Sequence, residues 1–144
     1  MIKKEIFKEK GLTLIELMIV VVIISILASL AIPRFMRTAV KSKQSEAKLI
    51  LKQISHMEQA YRQEYNHYWI PAGGTVANST NRFIFAPIYT EIMPTAKYSY
   101  TINGDQTSFT ATATSGILDD DATIDQWTIN KDGIIIVVTD DSQD

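Results

Sequence analysis

The chain contains no cysteine. Disulfide staples, thiolate metal sites and a cysteine nucleophile are therefore excluded together. A domain too small to rely on a large core then needs some other brace. Histidine is scarce as well. His56 and His67 are the two, three helical turns apart and too distant to share a metal ion. No Gly-rich phosphate loop, Ser/His/Asp set or pair of catalytic carboxylates is present, which argues against an enzyme. Helix breakers are sparse in the first half, and no internal repeat or low-complexity segment stands out. At 144 residues the chain fits one compact domain plus an anchor.

What is present begins at residue 11. Ten mostly polar residues, with Lys3, Lys4, Lys8 and Lys10 against Glu5 and Glu9, precede Gly11. From Leu12 to Ile32 only Thr13, Glu16, Ser25 and Ser29 are polar. As a helix this run is ~32 Å long, the thickness of a bilayer core. Glu16 lies near its start, where hydrocarbon penalises a charge by roughly 2.5–3.5 kcal/mol at the midplane and less toward the interface. Pro33 ends the run and should kink the helix or locally melt it. A secretory signal has a shorter apolar core followed by a small-residue cleavage site. Here the small residue, Gly11, comes first. Gly offers the least steric hindrance to a peptidase that must thread extended backbone.

The run Gly11-Leu12-Thr13-Leu14-Ile15-Glu16-Leu17-Met18-Ile19-Val20-Val21, with its short basic leader, resembles the N-terminus of the type IV pilin and pseudopilin family. One departure is Leu12, where the family most often has Phe or Met. The resemblance implies cleavage between Gly11 and Leu12 by a prepilin peptidase, which then N-methylates Leu12. It implies that Glu16 acts in assembly, meeting the Leu12 amine of a neighbouring subunit, four residues or ~6 Å away along the axis. Polar contacts of this kind can set register where lipid supplies no hydrophobic drive. The implied organisation is a leader at 1–11, a transmembrane and assembly helix at 12–33, and a head at 34–144 that includes the amphipathic half of the helix. The implied partners are further copies of the chain, the peptidase, the membrane, and an inner-membrane platform with its ATPase. The precursor would sit in the inner membrane with its leader in the cytoplasm, then pass into an extracellular pilus or a periplasmic pseudopilus. The chain reads as a pilus subunit, with a type II secretion pseudopilin and a monomeric anchored binding protein as alternatives.

Beyond Pro33 a helical rhythm continues through Met36, Ala39, Val40, Ala47, Ile50, Leu51, Ile54, Met57, Tyr61, Tyr65 and Tyr68, in steps of three and four. The first stop signal is Trp69-Ile70-Pro71-Ala72-Gly73-Gly74. Phe83-Ile84-Phe85 reads as a short buried run, and Ile88–Met93 as one or two helical turns. The period then becomes two. Strands are expected over Lys97–Ile102, Ser108–Thr114, Ile124–Asn130 and Ile134–Thr139, with Asn103-Gly104 and Lys131-Asp132-Gly133 as turns. The fold class is α+β: a long helix, half membrane-spanning and half amphipathic, packed on a small antiparallel sheet of about four strands. Tyr61, Tyr65, Tyr68, Tyr98, Tyr100 and Trp127 would form the core where helix meets sheet.

Charge is segregated. Arg34–Lys52 carries six basic residues and one acid, whereas Asp105–Asp144 carries nine Asp and one Lys. A basic run beside a span ordinarily marks the cytoplasmic side; the leader lysines compete, and the resemblance keeps the leader inside. Asp119, Asp120, Asp121 and Asp125 cluster before the third expected strand. Hard oxygens in a loop suit Ca²⁺, although the spacing is not that of an EF-hand. A solvated acidic loop is the alternative. No other cofactor is expected. Asn78-Ser79-Thr80 matches a glycosylation sequon.

Overall fold

The computed structural model describes residues 11–119 and 122–143. Residues 1–10 of the expected leader lie outside the described residues, as do Asp120 and Asp121. One helix, α1 (Leu14–Tyr65), precedes five strands: β1 (Val76–Ala77), β2 (Tyr98–Gly104), β3 (Phe109–Ile117), β4 (Ile124–Asn130) and β5 (Ile135–Thr139). The chain divides into two compact units, one up to Met36 and one from Arg37 onward.

The first unit is the apolar helix. Its large side chains from Leu14 to Leu30 are exposed on every side, as expected of a helix whose solvent is lipid. It is long and apolar enough to cross a membrane. Its two serines need no outside partner. Ser25 Oγ donates to Val21 O at 2.7 Å and Ser29 Oγ to Ile26 O at 2.8 Å, so neither hydroxyl faces hydrocarbon unsatisfied. The helix continues unbroken through Pro33, so no local melt occurs there.

In the second unit α1 buries Val40, Gln44, Ala47, Ile50, Leu51, Ile54, Ser55 and Glu58. Five of these belong to the expected apolar stripe. The helix ends at Tyr65, three residues earlier than its periodicity suggests. Asn66 takes φ 65° and donates its N–H to Arg62 O at 2.8 Å. Asn tolerates this left-handed conformation, which closes the helix before the Pro/Gly signal is reached.

The sheet is an antiparallel meander in the order β1-β2-β3-β4-β5. Four strands match those expected. The fifth, β1, has two residues that pair with Thr101 and Tyr100, too few to leave an alternating pattern. The β2–β3 hairpin forms, but its turn is displaced. Asn103 and Gly104 pair within the ladder opposite Thr110 and Phe109, and the loop is Asp105–Ser108. Asp105 Oδ1 organises it by accepting from Thr107 N–H at 2.7 Å and Ser108 N–H at 2.9 Å. At Gly104, φ is 149° and a Cβ would lie 2.2 Å from Ser108 O, so this crossing requires glycine.

Phe83-Ile84-Phe85 is a turn rather than a buried run: Phe85 is buried and Phe83 is exposed. The helical turns expected over Ile88–Met93 reduce to a 3-10 turn at Ala86–Ile88. Core side chains come from α1 (Leu51, Ile54), the connecting segment (Phe85, Ile88, Ile92) and the sheet (Tyr100, Ile102, Phe109, Trp127, Ile129). Of the aromatic residues expected there, Tyr61 is half-buried against the core and Tyr65 is exposed; the two rings stack 4.4 Å apart.

Glu58 is a fully buried carboxyl within this core. Its Oε2 accepts Trp69 N–H at 2.9 Å, while Oε1 has no hydrogen-bond partner among the described residues. Burial pushes its pKa up to about 7 against an ordinary 4.5, with the Trp69 N–H opposing. The folded state therefore holds this proton more tightly than the unfolded state. Head stability should fall as pH rises from about 4.5 to about 7, by on the order of 3 kcal/mol from this group. Glu58→Gln should flatten that slope and raise stability at pH 8. Denaturant unfolding of both forms across pH 4–8 measures it, and a slope unchanged in the variant contradicts it.

Candidate functional site: the N-terminal motif and the buried carboxylate of the head

The N-terminal site is organised by Thr13 and Glu16. Thr13 stands just before the first helical residue, with Glu16 three positions on, the spacing of a capping box. Glu16 Oε2 accepts Thr13 N–H at 2.8 Å and the Thr13 hydroxyl at 2.6 Å, while Glu16 N–H reaches Thr13 Oγ1 at 3.3 Å. Two backbone N–H groups at the helix start, those of Thr13 and Glu16, are thereby satisfied, and the Thr13 hydroxyl joins the two side chains. This role of Thr13 was missed in the sequence reading, although T-x-x-E before an apolar run is its signature. Both carboxylate contacts fall on Oε2. Gly11 and Leu12 precede the helix as exposed chain, and a Cβ on Gly11 would meet nothing within 4 Å. Nothing in the fold itself requires glycine there, so its presence needs a reason outside the fold.

The expected acidic loop divides. Asp119 is half-buried at its start, and Asp120 and Asp121 lie outside the described residues. Asp125 is not a loop residue. It sits in β4 at 0% exposure. Its side chain points toward α1 because Trp127 and Ile129, on the same alternating face, are core residues. Oδ1 accepts Gln44 Nε2 at 3.3 Å and Asp141 N–H at 3.2 Å. Oδ2 accepts Trp127 Nε1–H at 2.7 Å and the Tyr98 hydroxyl. The Asp125 N–H donates to Ser115 Oγ at 2.8 Å. A carboxylate offers about four acceptor positions, and here four donors fill them. Burial, and then the bond to Asp125, hold the Tyr98 phenol well above its usual range. Asp125 therefore does not fit a calcium ion, whose binding would displace four hydrogen bonds. The calcium expectation retains Asp119, Asp120 and Asp121.

Above this node, Lys48 Nζ lies 3.6 Å from the centroid of the Trp127 ring, and Gln44 Nε2 also donates to Asp140 Oδ1 at 2.8 Å. The other residues singled out in the sequence have local roles. Asn78 Oδ1 accepts the N–H groups of Thr80 and Asn81, both at 2.9 Å, so the sequon asparagine shapes a turn. His67 packs edge-on against Tyr61, and His56 is exposed.

Asp125→Asn should cost about 3–5 kcal/mol of head stability, because the new amide places donors against donors in a dry site. The loss should be the same in calcium and in chelator. Thermal unfolding in both media measures it, and a calcium-dependent difference would return Asp125 to the metal set.

A family model described as the prokaryotic N-terminal methylation motif matches residues 6–32. Over 61 residues, 42% of this chain, the sequence is 49% identical to the type IV major pilin protein PilA of Myxococcus xanthus (strain DK1622), covering 28% of that protein. Over 61 residues it is also 34% identical to the type II secretion system core protein G of Escherichia coli (strain K12), covering 42% of it. The match thus spans less than half the length of either relative. No solved structure matches significantly. The chain carries the methylation motif and is homologous to a pilin and to a secretion-system protein.

Proposed function

We propose, starting from the methylation motif at residues 6–32, that this chain is a type IV pilin-like subunit. It would be made as a precursor, cut after Gly11, methylated on Leu12 and polymerised through its N-terminal helix. It is a structural protein under this reading, not an enzyme. The observation that carries the proposal is the arrangement at the start of α1. A fold-independent glycine precedes a helix apolar on all sides, and a carboxylate stands in its first turn. An amine released by cleavage at Leu12 is a cation of suitable depth for that carboxylate in a neighbouring copy. Before assembly the apolar segment would hold the chain in the inner membrane with its leader in the cytoplasm. Afterwards the same segments would pack against one another in the fibre core, with the heads outside. The peptidase, assembly platform and ATPase are partners that this reading requires.

The similarity to the secretion-system core protein supports a second reading, in which the filament is a short periplasmic pseudopilus driving export. Mechanical shearing separates the two. A pilus yields subunits in the sheared fraction of intact cells, and a pseudopilus leaves them in the envelope.

Replacing Gly11 with a bulky residue should leave the full-length chain in the membrane and abolish filaments. Glu16→Ala should insert and be cut normally but assemble poorly. N-terminal sequencing and filament yield check both. Surface-exposed subunits that retain Met1, or normal filament yield from Glu16→Ala, would contradict the proposal.

A further inference from the structure

Filament assembly through the N-terminal helix leaves the basic run Arg34–Lys52 without a role. Within it, α1 sets Arg37, Lys41, Gln44, Ser45 and Lys48 at i, i+4, i+7, i+8 and i+11, on one helix face. That face and the C-terminal residues Asp140 and Ser142 line an open polar cleft of about 580 Å³, a size typical of small-molecule sites. Arg37, Lys41 and Lys48 have no ion-pair partner among the described residues, where the salt bridge is Arg82–Glu91. The cleft's one lining acid, Asp140, is engaged at Oδ1 by Gln44 Nε2 at 2.8 Å, Ser142 N–H at 3.0 Å and the Ser142 hydroxyl at 2.7 Å. Asp125, behind it, is saturated by its four donors. Lys43 is not part of the cleft, since its Nζ donates to Leu118 O at 2.6 Å. Lys48 is fixed over the Trp127 ring. The lining therefore presents three cations against one acid.

We propose that this cleft binds a phosphate group, supplied by an anionic phospholipid headgroup of the membrane that the apolar segment enters. A guanidinium fork and two ammonium groups match the oxygens of a phosphate ester, while the serine hydroxyls are spent on Lys41 O and Asp140 Oδ1. Arg37 follows Ile32, the last apolar residue before Pro33, by five positions, so the cleft begins in sequence where the hydrocarbon segment ends. Anionic leaflets attract basic residues at such positions. A basic run on the far side of the membrane from the leader then has a use: it holds the unassembled head at the bilayer surface. The inference rests on the membrane span and not on filament assembly, so it can fail while the proposed function stands.

The test uses the full chain with Trp69→Phe, which leaves Trp127, beneath Lys48, as the single indole. The protein is placed in phosphatidylcholine nanodiscs. In one arm phosphatidylglycerol replaces part of the lipid. In the other, inorganic phosphate is titrated against chloride at matched ionic strength. Trp127 emission should shift as the phosphatidylglycerol fraction rises. Arg37→Gln and Lys41→Gln should each weaken that response about fivefold, whereas Lys52→Gln, on the same helix side but outside the cleft, should leave it unchanged. A shift produced equally by inorganic phosphate in pure phosphatidylcholine upholds the phosphate site and overturns the lipid as its source. No shift beyond chloride in either arm overturns the site. Equal losses from Lys41→Gln and Lys52→Gln overturn the cleft in favour of diffuse charge. A shift that follows the number of chains per disc, rather than the lipid, overturns it in favour of a neighbour's acidic segment.

Discussion

A buried carboxylate with four donors on its four acceptor positions fixes the head. Asp125 joins α1 through Gln44, β2 through Tyr98, β4 through Trp127 and the C-terminal segment through the Asp141 amide; its own amide joins β3 through Ser115. Each bond alone is modest, about 1–3 kcal/mol when an ionised acceptor is involved. Their shared centre makes them interdependent, since removing the carboxylate strands several buried donors at once. In a chain without cysteine this node does what a disulfide near the C-terminus would do: it ties the last residues to the first element of the head.

The rest of the head's surface follows from that tie. Gln44 faces inward because Asp125 needs it, so the cations flanking it on α1 face outward around Asp140 and Ser142. Trp127 turns its indole N–H to Asp125 and its ring face to Lys48. The same residues thus hold the C-terminus, order one cation and shape the basic cleft. The N-terminal unit answers a different constraint. On a helix apolar enough to cross a membrane, its serines bond their own backbone and Glu16 has Thr13 as a partner.

Much of this was legible in the sequence. The all-round apolar run, the stripe from Val40 to Ile54 and the period-two stretches each reflect the solvent or core that a whole element faces. Such signals accumulate over many residues and survive local exceptions. The failures were local. Asn66 ended α1 by adopting a left-handed turn, which no periodicity records. Asn103-Gly104 carried a strong turn signal, yet Asp105 offered its carboxylate to the following amides and moved the turn. Asp125 was grouped with its acidic neighbours because sequence proximity was the available measure. Its alternation with Trp127 and Ile129 already placed it on the buried face, and its partners other than Trp127 stand 10 to 81 positions away. Thr13 was the reverse case: its four-residue signature was present and was overshadowed by the longer motif that contains it.

The node's status is tested most directly by native-state hydrogen exchange of two groups, the Trp127 indole N–H and the Asp141 backbone N–H. If Asp125 braces the head, both exchange only on global unfolding and share one opening free energy, despite lying in a strand and near the chain's end. Rapid exchange of the Asp141 amide, with the Trp127 indole still protected, would show that the C-terminal segment opens independently and that the head is held by its apolar core alone.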